Sequence, residues 1–167
     1  GMEWAVASGA DVVNMSLGGH EASAALQAAI AEAYDAGVTL VAASGNVNPG
    51  SINELLNGCP VAYPAAYDQV IAVSFTNTAD KLTGFSCTGT QVDLAAPGDQ
   101  VYSPVPVGPT GSCMFCSPYG YSAQSGTSMA CPAVTAATAS QLAAATEILL
   151  ADRNVARSIA IVDLLQN

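Results

Sequence analysis

Positive charge is what this chain has least of. Lys81, Arg153 and Arg157 are its only cations against thirteen carboxylates, which leaves a formal net charge of -10. Three cations cannot build the basic face that nucleic acid requires, so nucleic acid is excluded as a partner. Attraction to an anionic membrane surface is disfavoured for the same reason. No apolar run reaches the ~18 residues of a membrane span, so no membrane association is expected. Histidine is scarcer still, with His20 alone. That scarcity matters because a nucleophilic hydroxyl needs a base beside it.

What is present is apolar. Hydrophobic residues make up 51% of the 167 positions and charged residues 10%, which indicates a packed globular interior and argues against a disordered or coiled-coil chain. The length suits one domain, residues 1–167, with a sizeable core. The five cysteines, Cys59, Cys87, Cys113, Cys116 and Cys131, are odd in number and cannot all pair within one chain. Low charge with several cysteines points to a secreted protein.

The hydrophobic pattern alternates between two periods. DVVNMS (11–16), VTLVAA (38–43), VIAV (70–73) and VDLA (92–95) are short apolar runs that predict buried strands. Between the first two, Leu26, Ala29, Ile30 and Ala33 recur at helical spacing, so a helix is predicted over 21–36, with Gly37 placed to end it. A polar loop is predicted over 45–59 and an irregular excursion, rich in Pro, Gly and Tyr, over 103–122. A long alanine-rich helix is predicted over 128–151, then a weaker one carrying Val155, Ile159, Val162 and Leu165. The opening GMEWAVA reads as the inside of a helix, which suggests a gene that starts further upstream. Buried strands alternating with helices predict a parallel α/β sheet. Sites in such sheets gather at the carboxyl ends of the strands, here SLGG (16–19) and SGN (44–46).

One stretch there combines a glycine, a hydroxyl and a helix start: GTSMACPAV (126–134). At a helix N-terminus the free N–H groups and the dipole favour negative charge, including a developing oxyanion. Ser128 is thus a candidate nucleophile. The alternative is an N-cap serine. Pro132 is expected in the first turn, where its missing N–H costs nothing. Asn46 could aim its amide at the same oxyanion, beside the Ser128 N–H, or simply form a turn. SLGG could be a tight turn, or an edge onto which an extended peptide pairs.

DVVNMSLGG, VTLVAASGN and GTSMACPAV resemble, in this order, three consecutive motif regions of the subtilisin-like serine proteases. GMEWAVASGAD and AYPAAYDQVIAVSFT…FSCTG…VDLAAPG are similar to that family too, so the resemblance covers nearly the whole chain. It implies a three-layer α/β/α fold with a parallel sheet of the subtilisin type, of which this is the C-terminal half with four strands side by side. It implies endopeptidase chemistry on a peptide or protein substrate, with Ser128 as nucleophile and Asn46 in the oxyanion hole. Ser16, Leu17, Gly18, Ala43, Ser44 and Gly45, with Ala62, would wall the primary specificity pocket. Ala133 departs from the pattern, which has a histidine there that is not the general base.

In that family the triad runs Asp, His, Ser along the chain. The Asp and His motifs are expected upstream of residue 1, on a missing N-terminal part of the protease domain. His20 follows the Gly-Gly turn, lies outside the histidine motif and is not nominated as the base. The parent function is therefore peptide-bond hydrolysis, with this chain alone inactive. The rival is a truncated or pseudo-protease module that binds peptides or a partner without catalysis.

No cofactor is expected for catalysis. The resemblance implies a structural Ca²⁺ held by Asp93 and the carbonyls of Asp68 and Val70. A solvated strand-edge aspartate is the alternative, since one carboxylate alone binds Ca²⁺ poorly. Cys113 and Cys116 are spaced for a short loop disulfide; a second C-x-x-C, which zinc would need, is absent. Cys131, within the nucleophile helix, is expected as a buried free thiol.

Overall fold

The computed structural model describes residues 1–109, 111, 113, 115–149 and 152–166. In chain order the elements are α1 (Met2–Ala7), β1 (Val12–Met15), α2 (Ala24–Asp35), β2 (Thr39–Ala43), α3 (Ile52–Asn57), β3 (Val70–Thr76) and β4 (Val92–Pro97). Then follow β5 (Val101–Pro104), β6 (Tyr121–Gln124), α4 (Thr127–Ala144), α5 (Thr146–Leu149) and α6 (Val155–Gln166). The first four strands form one parallel sheet in the order β1-β2-β3-β4. A parallel sheet needs crossovers, and the helices that supply them cover both faces.

The period of two in the strands divides the core. Leu40, Ala42, Val70 and Ala72 face one way, into a cluster with Ile30 and Ala33 of α2. Val41, Ala43, Ile71, Val73 and Phe75 face the other way, against Ala130, Cys131 and Val134 of α4. Each large aliphatic side chain buried this way contributes about 1.5–3 kcal/mol. The result is the three-layer subtilisin-like architecture. Ser23 caps α2, its hydroxyl accepting the Leu26 N–H at 3.3 Å, and Gly37 follows its end. α6 closes the layer beside α4. Its Arg157, 3% exposed, pairs with Asp11 at 2.6 Å.

Three local expectations change. The excursion over 103–122 is bracketed by an antiparallel hairpin of β5 and β6, whose Tyr102 and Tyr121 rings stack at 5.6 Å. The loop over 45–59 contains α3, capped by the Ser51 hydroxyl on the Glu54 N–H. The alanine-rich helix stops at Ala144 instead of running on to 151; residues 150 and 151 lie outside the described residues. Alternating small residues conceal these breaks, because alanine carries little positional information beyond helix propensity.

Candidate active site

The carboxyl ends of β1 and β2 and the start of α4 meet at one place. Gly126, just ahead of α4, has φ +149°, a region open to glycine, and a Cβ there would sit 3.2 Å from both amide atoms of Asn46. This bare turn lets Asn46 reach over the helix start. Its Oδ1 accepts the Thr127 backbone N–H at 3.0 Å and the Thr127 hydroxyl at 3.3 Å. The same hydroxyl accepts the Gly45 N–H at 3.3 Å. A backbone N–H can only donate, so Oδ1 must be the acceptor, and Nδ2 is left as the outward donor. Thr127, fully buried, fixes that orientation from behind. The Ser128 N–H, in the first turn of α4, has no intrahelical acceptor. The Asn46 amide and the Ser128 N–H are thus two donors at one helix N-terminus.

Ser128 is tied to β1 by a reciprocal pair of bonds. Its hydroxyl donates to the Ser16 carbonyl at 3.1 Å, and the Ser16 hydroxyl donates to the Ser128 carbonyl at 2.9 Å. Pro132 explains the second bond. It is the sixth residue of α4, not part of the first turn, and its missing N–H frees the carbonyl four residues back, which is that of Ser128. Ser16 satisfies it.

Beside Ser128 lies a cavity of about 270 Å³ whose lining includes Leu17, Gly18, His20, Ala43, Gly45 and Ala62. Ser16 and Ser44 stand outside this lining. Ser16 is engaged with Ser128, and Ser44 is buried with its hydroxyl on the Cys87 carbonyl at 3.0 Å. A disulfide that sequence reasoning left open, Cys59–Cys87, backs the cavity. Gly45 has φ +105°, and a Cβ there would meet Cys87 Sγ at 3.1 Å. The Cys87 N–H donates to the Gly45 carbonyl at 2.9 Å. The cysteine content hinted at such a bridge, but five cysteines leave the pairing undecided. His20 is exposed, and no hydrogen bond joins it to Ser128. Cys113 and Cys116 form the short loop disulfide. Cys131 is buried and free. Burial pushes its thiol pKa up, partly opposed by a hydrogen bond with Ser16, so it is not a competing thiolate nucleophile.

Asp68, Val70 and Asp93 share the rim of another cavity, of about 150 Å³. Asp93 sits at the β3–β4 register shift, and its Oδ2 accepts the Ala72 N–H at 2.8 Å. One carboxylate oxygen therefore has a structural use in the sheet. Among the described residues no group of three His, Cys, Asp or Glu is gathered for a metal. Oδ1 of Asp93 takes no part in that bond, and one carboxylate oxygen alone is a poor Ca²⁺ site without carbonyls to supplement it.

A hydroxyl beside two fixed N–H donors, with a side-chain cavity adjoining, can perform acyl transfer once a base is supplied. The chain belongs to the subtilase family, whose family model matches residues 1–159. It is 43% identical over 132 residues to the minor extracellular protease Epr of Bacillus subtilis (strain 168), covering 79% of this chain and 18% of that protein. It is 41% identical over 140 residues to subtilisin DY of Bacillus licheniformis, covering 83% of this chain and 45% of that protein. With thermitase of Thermoactinomyces vulgaris it shares 36% identity over 162 residues, 95% of this chain and 51% of thermitase. A similar solved structure is the prenylagaramide maturation protease PagA, with a TM-score of 0.68 and 30% identity, covering 85% of this chain and 47% of that one. The chain thus spans about half, or less, of the length of these relatives. Two of these relatives carry the name protease. No helix among the described residues is long and apolar enough to cross a membrane.

Proposed function

We propose that this chain supplies the nucleophile, the oxyanion donors and the acyl-side pocket of a serine endopeptidase. Ser128 Oγ attacks the carbonyl carbon of a peptide bond and passes its proton to an imidazole. The tetrahedral oxygen takes hydrogen bonds from Asn46 Nδ2 and the Ser128 N–H. Collapse expels the amine, protonated by the same imidazole, and water then hydrolyses the acyl-enzyme. The observation that carries this reading is the double anchoring of Asn46 Oδ1 by Thr127, the neighbour of Ser128, which leaves Nδ2 as the donor end of that side chain. The 270 Å³ cavity has no carboxylate, lysine or arginine in its lining, which suits a medium or large apolar residue before the scissile bond.

The imidazole and its orienting carboxylate come from the N-terminal part of the protease domain, outside this chain. Alone, the chain has no base for Ser128 and is inactive or nearly so. Losing a triad member in subtilisin itself leaves only ~10³–10⁴-fold over water. The protein acts outside the cell, as the name of its relative Epr supports. Asp93 Oδ1 and the carbonyls of Asp68 and Val70 hold a structural Ca²⁺, which would brace the β3–β4 edge and take no part in catalysis.

A second reading, a peptide-binding module without catalysis, is favoured by one observation: the Ser128 proton is given to the Ser16 carbonyl. A fluorophosphonate probe separates the two. The chain alone should label far more slowly than the product of the gene read with the coding sequence preceding residue 1. Prompt, Ser128-dependent labelling of the chain alone would show a base within it. Failure of both proteins to label would favour the binding module.

A further inference from the structure

A second cavity, of about 770 Å³, also borders Asn46. The two share Asn46, and where one continues to Ser128 the other continues to Gly126 and Ser125. A scissile carbonyl seated between Asn46 Nδ2 and the Ser128 N–H would have its acyl side along Leu17 and Gly18, and its leaving-group side over this larger space. The wall is formed by Phe75, Leu82 and Phe85. Leu82 is 52% and Phe85 59% exposed, an apolar surface that an occupying side chain would cover.

The one charge in that lining is Asp99. Its Oδ1 accepts the Ser125 hydroxyl at 2.8 Å, and that hydroxyl in turn accepts the Gln100 N–H at 2.9 Å. The carboxylate is therefore tethered at Oδ1, and among the described residues none donates a hydrogen bond to its second oxygen. No cation of the chain neutralises it. Arg157 is paired with Asp11, Arg153 donates to the Ala10 carbonyl, and Lys81, on the neighbouring turn, neither lines the cavity nor forms an ion pair with Asp99.

We infer that this cavity is a specificity subsite that selects a long basic residue, lysine or arginine, on the leaving-group side of the scissile bond. The aliphatic stem lies against Leu82 and Phe75, and the charged head reaches Asp99. The ring of Phe85 adds a face on which a cation can sit. A glutamate in the same place would meet a fixed carboxylate inside a chain of net charge -10, and repulsion would exclude it. Asp99 acts here through binding alone. The inference rests on the reading of Asn46 and Ser128 given above, which sets the direction of the peptide.

The test uses the Ser128→Ala form of the chain, which cannot turn over peptide, with its fold checked by circular dichroism. Fluorescently labelled peptides carry leucine on the acyl side and lysine, methionine or glutamate in both positions that follow. Anisotropy titration should show the lysine peptide binding about tenfold tighter than the glutamate one, with methionine between. Asp99→Asn keeps an acceptor for Ser125 but removes the charge, and should erase the advantage of lysine over methionine while leaving methionine binding in place. Equal binding of lysine and glutamate peptides overturns the inference, as does a lysine preference that survives Asp99→Asn or the absence of saturable binding by the folded chain. The fluorophosphonate experiment does not involve Asp99. Asp99-dependent lysine selection in a protein whose Ser128 never labels would keep the subsite and discard the peptidase.

Discussion

The two cavities that meet at Asn46 are made differently. The smaller is shaped by main chain and small side chains: Gly18, Ala43, Gly45 and Ala62. Behind it stand the buried Ser44, bonded to the Cys87 carbonyl, and the Cys59–Cys87 disulfide. The larger is walled by side chains, with Leu82 and Phe85 on a turn organised by Asn77, whose Oδ1 accepts the Ala79 and Lys81 N–H groups at 2.9 and 3.1 Å. Main chain backed by a disulfide yields little, so on the proposed reading the first cavity would discriminate by size and by the cost of desolvating charge. Side chains on a turn can adjust, so the second would discriminate through the charge of Asp99. Asn46 is the wall they have in common.

The largest effect should come from that common wall. Asn46→Ala in the complete enzyme is expected to lower turnover by ~10²–10³-fold with little change in substrate binding, because the lost donor acts mainly in the transition state. The range is that of the corresponding donor in subtilisin. Steady-state kinetics on a peptide substrate would decide it, and an unchanged turnover number would remove Asn46 from the mechanism.

Next in size is the contrast in charge. A lysine or arginine before the scissile bond would have to desolvate in a cavity whose lining holds no carboxylate, at a cost of several kcal/mol. A peptide-library profile of the complete enzyme should therefore show apolar residues on the acyl side. A profile dominated by basic residues there would erase the distinction between the two cavities.

The disulfide backs the smaller cavity at Gly45 and meets the larger one at Val47, whereas Asp99 is held by Ser125. Replacing Cys59 and Cys87 together by alanine should destabilise the chain by roughly 3–4 kcal/mol, the value for closing a loop of this length, given a separation of 28 residues. It should also broaden acyl-side selectivity while leaving the lysine preference at Asp99 intact. Urea denaturation and the peptide profiles measure both. Equal loss of selectivity on the two sides would show that they are not separately supported.

The smallest effect lies away from both cavities. If Asp93, with the carbonyls of Asp68 and Val70, holds Ca²⁺, millimolar calcium should raise Tm by a few degrees through mass action on the folded state. Asp93→Asn should abolish the rise, and neither peptide profile should change. A melting curve indifferent to calcium would leave Asp93 with its hydrogen bond to Ala72 as its only role.

Much of the fold is legible along the chain because its signals are local. VTLVAA and VIAV alternate between two covered faces, and Ile30 and Ala33 are at helical spacing, so strands and helices announce themselves by period. The Gly126-Thr127-Ser128 stretch announces a helix start with a hydroxyl for the same reason. The hairpin of β5 and β6 was not legible, because Pro and Gly between its strands mask a pairing of segments far apart in the chain, Tyr102 with Ala123 and Pro104 with Tyr121. Nor was α3, whose exposed Ile52 and Leu56 show no buried stripe.

The sequence by itself determined which chemistry could be present: a hydroxyl at a helix mouth, an amide at a strand end, uncharged small residues between them, and one histidine outside any catalytic motif. Only the tertiary structure decided how these groups meet. Asn46 finds Thr127 across 81 residues and Ser16 finds Ser128 across 112, contacts set by the order in which β1, β2 and α4 stack. That order also chose Cys87 for Cys59 and left Cys131 free. Periodicity encodes which face of an element is buried. The partner it is buried against depends on how the whole sheet closes, and no local pattern carries that.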